Sequence, residues 1–208
     1  MIVVHHLEES RSQRVLWLLE ELGLAYDVRR YARDPQTRLA PPELKAIHPL
    51  GKSPVLEVGG EVLAESGAII EYLAETEGLG ALAIPPGDRA RADYLYWLHF
   101  AEGSAMLPIL LMLYVSRLGE AGAPLHPRIF SEIDNHLSHA DAALKDTDTF
   151  IADRFTAADI QMSFVLDAAN VGGRLGQYPN LSRARALHQA RPAYQRALER
   201  GGPYKMGG

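Results

Sequence analysis

Three groups of residues in this 208-residue chain have types and spacings that could hold a ligand. In HHLEESRSQRVLWLLEELGL, Ser10 and Ser12 stand in the turn between a strand-like run and a strongly amphipathic helix. One of them is expected to cap that helix, because a serine oxygen can accept a backbone N–H that the first turn leaves unpaired. The other could then donate its hydroxyl to a bound anion, with the helix N-terminus adding positive potential. On spacing alone, both could equally serve only the cap and the turn. Further along, Glu65 and Ser66 open another helix, with Ser66 read as its N-cap. That helix end attracts a carboxylate and Glu65 attracts an ammonium group, so the pair suits an α-amino-acid zwitterion. The plainer reading is that Ser66 only caps and Glu65 only complements the helix dipole.

The third group is GKSP, just ahead of a strand. The Ser53–Pro54 bond follows Gly51 in a tight turn and is a candidate cis peptide, which would turn the backbone N–H and C=O of Ser53 outward for an extended peptide to pair with. A trans proline at the first residue of a strand fits the same spacing. Lys52 offers a further anion contact, or is solvated surface. Taken together, the ligand implied is extended and peptide-like, with a zwitterion at one end and a carboxylate at the other, as in glutathione. The chain has no cysteine, which excludes disulfides, thiolate metal sites and a nucleophilic thiol supplied by the protein. Any thiolate beside Ser10 must then come from the ligand. A free thiol has a pKa of about 8.5, and each unit of lowering corresponds to about 1.4 kcal/mol in favour of the charged form.

The elements that must position these groups alternate in the first third. IVVH is strand-like, SQRVLWLLEELG helical, AYDVRRY strand-like and PPELKAIH a short helix; PVLEV and EVLA then flank Gly59-Gly60 as a hairpin, and SGAIIEYLAETEG is a third helix. This βαβαββα order predicts a four-stranded sheet with helices packed on it, an α+β arrangement. After GLGALAIPPG the alternation stops, and segments 88–118, 127–146, 156–170, 181–190 and 192–200 carry helical apolar spacing. The expected domains are therefore 1–78, a linker at 79–87, and an all-helical bundle over 88–208. Pro108 predicts a kink inside the first of the later helices. In RFTAADI, Thr156 and Asp159 have the spacing of a capping box, with Phe155 and Ile160 at the staple positions, and read as a folding device.

A net charge of -5 with scattered Lys and Arg gives no footprint for nucleic acid or an anionic membrane. The longest apolar run, Met106 to Val115, is shorter than a bilayer span requires, and no signal-peptide pattern opens the chain. A cytoplasmic protein without nucleic-acid or membrane partners is expected.

The chain resembles the cytosolic glutathione transferases over essentially its whole length. The carrying motifs are SRSQRVLWLLEELGL, HPLGKSPVL, ESGAIIEYL and FTAADI, in family order and spacing. The resemblance implies a thioredoxin-like N-terminal domain followed by an all-helical one. It implies that Pro54 is the family's cis-proline, that the Ser53 backbone pairs with the cysteinyl residue of glutathione, that Glu65 and Ser66 hold the γ-glutamyl end, and that Lys52 approaches the glycyl carboxylate. Ser10 precedes Arg14 by four residues, as the catalytic serine precedes an arginine in serine-type, theta-like members, so Ser10 is the first choice for the thiolate-activating hydroxyl and Ser12 the second. Arg11 is placed to reach the ligand as well, or is simply an exposed arginine.

Within the serine-type members, the SRSxRxLWLLEELGL opening and the WLHFAEGS helix look most like a group of bacterial and fungal transferases. Ala152 departs from the glycine many members carry before the capping box. No cysteine or tyrosine occupies the turn where other classes place their active residue, which rules out a protein–glutathione mixed disulfide. The resemblance places an electrophile pocket near His99, Glu102, Gly103, Met106 and Leu110, but their helical spacing equally serves a core, and no single residue is assigned. His136, His139 and Asp141 have spacing that could suggest a metal and read instead as surface; no metal is expected. The activity implied is conjugation of glutathione to a hydrophobic electrophile by a homodimeric enzyme. The alternatives are glutathione-dependent disulfide or peroxide reduction and a non-catalytic glutathione-binding module.

Overall fold

The computed structural model describes residues 1–207. They fall into two compact units, residues 1–86 together with the chain from His188 onward, and residues 87–187.

The first unit is built on a four-stranded sheet in the order β2-β1-β3-β4. Strand β1 (Ile2–Leu7) is central and almost wholly buried. It runs parallel to β2 (Tyr26–Tyr31) and antiparallel to β3 (Val55–Val58), which pairs with β4 (Glu61–Ala64). Parallel neighbours need a crossover, and α1 (Ser12–Leu22) supplies it, ending at Gly23 with φ 65. Five successive residues of α1, Val15 to Leu19, are fully buried. The β3–β4 hairpin turns at Gly59 and Gly60, whose φ values of 60 and 90 are those a two-residue primed turn demands. Helix α2 (Glu43–Ile47) precedes β3, and α3 (Ser66–Tyr72) runs on into a π-helical turn at Leu73–Glu77.

The second unit is helical. It holds α4 (Arg91–Phe100), α5 (Met106–Val115), α6 (His126–Ala143), α7 (Ala157–Val171) and most of α8 (Pro179–Gln189). A π-helical turn at Ala101–Ala105 lies between α4 and α5. It marks the place where the sequence predicts a kink, because Pro108, one turn later, has no N–H for residue 104. The tract Arg91–Ala143 is long and apolar enough to cross a membrane by length and composition, with a window of mean hydropathy 1.5, whereas the Met106–Val115 run alone is too short. Its backbone is broken at Gly119, where φ is 56 and ψ is -135.

Thr156 and Asp159 form the capping box of α7: the Thr156 N–H donates to Asp159 Oδ2 at 2.8 Å, and Thr156 Oγ1 accepts the Ala158 N–H at 3.3 Å. Asp159 Oδ1 also accepts the Phe150 N–H at 2.9 Å, tying the preceding loop to the helix. Burial pushes the Asp159 carboxyl up to about 6 against the pull of these donors.

One expectation needs correction. The helical domain was to run to residue 208, but α9 (Pro192–Gly201) belongs to the first unit, packed on α1. The physical reason lies in both packing and charge. Trp17 of α1 is fully buried, its ring 5.2 Å from Tyr194 and 5.5 Å from His188. Around that contact, Arg191 pairs with Glu21 at 2.5 Å and Arg196 with Glu20 at 2.8 Å. The approach is close at Gly201, where a Cβ would fall 2.7 Å from Gln13 Oε1 and 3.0 Å from Leu16 Cδ1.

Candidate active site

All the residues expected to contact glutathione lie in the first unit, at the ends of β1, β3 and β4 and the starts of α1 and α3. The Ser53–Pro54 peptide is cis. Ladder pairing of β1 with β3 stops at His5 and Val55, and the Ser53 side chain takes over beyond it. Ser53 Oγ donates to the His5 carbonyl at 2.8 Å and accepts the Leu7 N–H at 3.1 Å. This holds it 3.5 Å from Ser10 Oγ.

Ser10 is 5% exposed and Ser12 fully buried. Neither occupies the cap position of α1, which is Arg11, half-buried and without a capping side-chain bond. Ser10 still does a cap's work from one residue outside: its Oγ accepts the Ser12 N–H at 3.3 Å and its carbonyl the Gln13 N–H at 3.2 Å. Its hydroxyl hydrogen has two acceptors within reach, the Leu7 carbonyl and Ser12 Oγ, each at 2.7 Å.

Ser12 Oγ in turn lies 2.8 Å from His6 Nδ1. Burial, reinforced by Arg30, lowers His6 to about 4, with a backbone hydrogen bond at Gly201 opposing the shift. A bond that favours the protonated ring runs to an acceptor, and Nε2 is the nitrogen facing Gly201, 3.3 Å from where its Cβ would stand. The two ring nitrogens thus face Ser12 Oγ on one side and the Gly201 backbone on the other, and burial keeps the ring neutral.

At α3, Ser66 is the first helical residue rather than the N-cap. The cap position belongs to Glu65, which is exposed and has φ 72. A non-glycine residue held at positive φ is uncommon and clusters at binding sites. Ser66 is buried and its Oγ accepts from Arg14 Nη2 at 3.0 Å, so its oxygen answers a guanidinium rather than the helix end. Arg14 is 2% exposed, which places its charge beneath the site. Lys52 is exposed beside the cis bond.

Sequence reasoning missed His6 and the bond from Arg14 to Ser66. The one available signal for His6 was its place on the same strand face as Ile2 and Val4, where a polar residue needs a partner.

In the second unit, His99 and Gly103 line a groove of about 660 Å³ with Tyr96, Phe100 and His136; Glu102, Met106 and Leu110 are not among its lining residues. His136 Nδ1 is 2.6 Å from the Glu132 carbonyl, and His139 Nε2 is 2.9 Å from the Tyr96 hydroxyl. Asp141 accepts the Asn180 and Leu181 N–H groups at 2.8 and 3.0 Å, at the start of α8. Among the described residues, no group of three His, Asp or Glu side chains has metal-binding geometry.

Residues 1–75 match the glutathione S-transferase N-terminal domain family. Glutathione S-transferase 3 of Schizosaccharomyces pombe is 34% identical, over 96% of this chain and 88% of its own length. Among solved structures, a glutathione S-transferase from Actinobacillus pleuropneumoniae superposes with a TM-score of 0.91 at 35% identity, over 99% of this chain and 95% of that one. A glutathione transferase family member from Pseudomonas fluorescens, solved with two glutathione molecules bound, gives a TM-score of 0.80 at 28% identity, over 95% of this chain and 92% of that one. The chain belongs to the glutathione S-transferase family.

Proposed function

We propose that this enzyme is a serine-type transferase that binds glutathione in its first unit and directs the thiolate at an electrophilic carbon of an apolar co-substrate. Ser53 pairs through its backbone with the cysteinyl residue, Glu65 and Ser66 hold the γ-glutamyl zwitterion, and Lys52 meets the glycyl carboxylate. Ser10 donates its hydroxyl to the sulfur, and Arg11 stands beside it at the helix start.

The observation that carries this reading is the hydrogen-bond order at the β1–α1 turn. Ser12 Oγ is engaged by His6 Nδ1 as well as by Ser10, whereas the Ser10 hydroxyl stands 3.5 Å from Ser53 Oγ, beside the cis Ser53–Pro54 peptide. Ser10 is thereby favoured over Ser12 as the thiolate's donor. Burial in a low-dielectric turn strengthens that bond, and the N-terminal end of α1 adds to it. The rest of the rate enhancement comes from holding nucleophile and electrophile together.

The enzyme works in the cytoplasm as a homodimer, and the exposed Leu107, Leu111 and Leu113 of α5 give a second copy an apolar surface to cover. The test of the mechanism is Ser10→Ala. Losing one such donor should lower kcat by about 10²- to 10³-fold with glutathione affinity retained; unchanged turnover on an aryl halide removes Ser10 from the mechanism.

A further inference from the structure

We propose that Glu9 is a positioning residue for the thiolate site, and that the chain's C-terminal tail acts on Ser10 through it. The inference rests on the reading of Ser10 given above.

Glu9 immediately precedes Ser10 and has φ 49. A glutamate in this left-handed region is strained, and such conformations persist where the surroundings over-determine them. Here they do so from two sides. The Glu9 carboxylate accepts the Lys205 N–H at 2.7 Å through Oε1 and the Met206 N–H at 3.2 Å through Oε2. Its own carbonyl accepts Arg33 Nη2 at 3.0 Å, while Arg33 Nε donates to the Glu8 carbonyl at 3.0 Å. A glycine would take this φ without strain. The chain instead places a carboxylate there and matches both of its oxygens to successive main-chain donors in the short turn Lys205–Gly207. Charge-assisted bonds to backbone amides are short and directional.

The tail is itself anchored just upstream. Arg30 donates to the Glu199 and Arg200 carbonyls at the end of α9, and Gly201 meets His6. The same segment therefore reaches the serine turn twice, through Gly201, His6 and Ser12 on one side and through Glu9 on the other. The backbone of residues 9 and 10 fixes where Ser10 Oγ points, and a misplacement of about 1 Å can cost about 10²-fold in rate. Glu65, Ser66 and Lys52 lie on other segments. The tail should accordingly control how well the thiolate is stabilised rather than how tightly glutathione binds.

Three variants test this: a chain ending after Gly202, Glu9→Gly, which tolerates the turn but lacks the carboxylate, and Glu9→Gln, which keeps one acceptor oxygen. Ser10→Ala is run in parallel. For each, kcat and KM with an aryl halide, the Kd for glutathione, the melting temperature and the pH titration of bound-thiolate ultraviolet absorbance are measured. The shortened chain and Glu9→Gly should lose about tenfold in kcat, with the bound thiol's pKa raised by about one unit and Kd within about twofold of the parent. Glu9→Gln should retain more of both. Parent-like kcat and thiol titration in the shortened chain and Glu9→Gly, with Ser10→Ala impaired, overturns the positioning role and leaves the Ser10 reading standing. A fall in melting temperature and in glutathione affinity with an unmoved thiol titration also overturns it, since that is a structural role only. Parent-like turnover of Ser10→Ala overturns the Ser10 reading and this inference with it.

Discussion

Ser10 Oγ and Ser53 Oγ lie 3.5 Å apart although 43 residues separate them in sequence. The Ser53 side chain continues the β1 edge where ladder pairing with β3 ends. One hydroxyl thus splices the cis-proline turn to the strand that delivers Ser10. Four residues beyond Ser10, Arg14 reaches Ser66 at the start of α3, so α1 links both ends of the proposed peptide site.

Ser66→Ala should weaken glutathione binding by about tenfold with kcat nearly unchanged, because it deletes a ground-state contact. It also takes one acceptor from the buried Arg14, which should cost about 1–3 kcal/mol of stability. Isothermal titration with glutathione and denaturant melts measure both; a parent-like Kd would take Ser66 out of the γ-glutamyl site.

Asp159→Ala removes both the reciprocal bond of the α7 capping box and the Phe150 tie. A loss of about 2 kcal/mol is expected, or about 4–8 °C in melting temperature for a chain of this size. The surviving folded protein should bind glutathione as the parent does. An unchanged melting temperature would count against the cap.

Stability should fall on mild acidification. His6 and His188 are held near 4, each chiefly by burial, with Arg30 and Arg191 respectively adding to it. Unfolding returns both to about 6.5, so between about pH 4 and 6.5 the unfolded chain binds two more protons and native stability drops as pH drops. Asp159 works the other way. Burial raises it to about 6 in the folded state, so its contribution is lost as pH rises from 3.8 to about 6. Two against one leaves a net slope of about 1.4 kcal/mol per pH unit near pH 5. Thermal melts between pH 4.5 and 7 should show this, and His188→Phe should flatten it. A melting temperature that is constant or rises on acidification contradicts the assignment of neutral buried histidines.

Trp17→Ala should release α9 from α1. Truncating a fully buried tryptophan costs about 3–5 kcal/mol, and this ring spaces α1 from Tyr194 and His188. Hydrogen exchange should then quicken across residues 192–201 more than across α7. Equal protection in α9 before and after the substitution would show that charge pairs alone hold the helix.

The elements of the first 78 residues were legible because each is written in its own period. Gly59-Gly60 selects the hairpin turn, Gly23 stops α1, and the β-branched run that opens β1 gives way after a short turn to the 3.6 spacing of α1. The residues proposed to hold glutathione stand out in the sequence as types at fixed offsets, but Ser66 is the first residue of α3 rather than its cap, because Glu65 takes the strained cap position. The place of α9 was not legible. Its arginines complement Glu20 and Glu21, but many charged helices would do so, and no local pattern says which unit a helix joins. His6 and Glu9 escaped for a similar reason: their partners at Gly201, Lys205 and Met206 lie almost 200 residues away, and one is a carbonyl and two are amides, which every residue but proline can offer.

If Ser10 holds the glutathione sulfur as a thiolate, the bound thiol's ultraviolet absorbance, titrated against pH, should differ between the parent and Ser10→Ala. The bound thiol should titrate at about 6.5 in the parent, about two units below the free thiol, and return toward about 8.5 in the variant while glutathione stays bound. A bound thiol that titrates at the same pH in both proteins would contradict it.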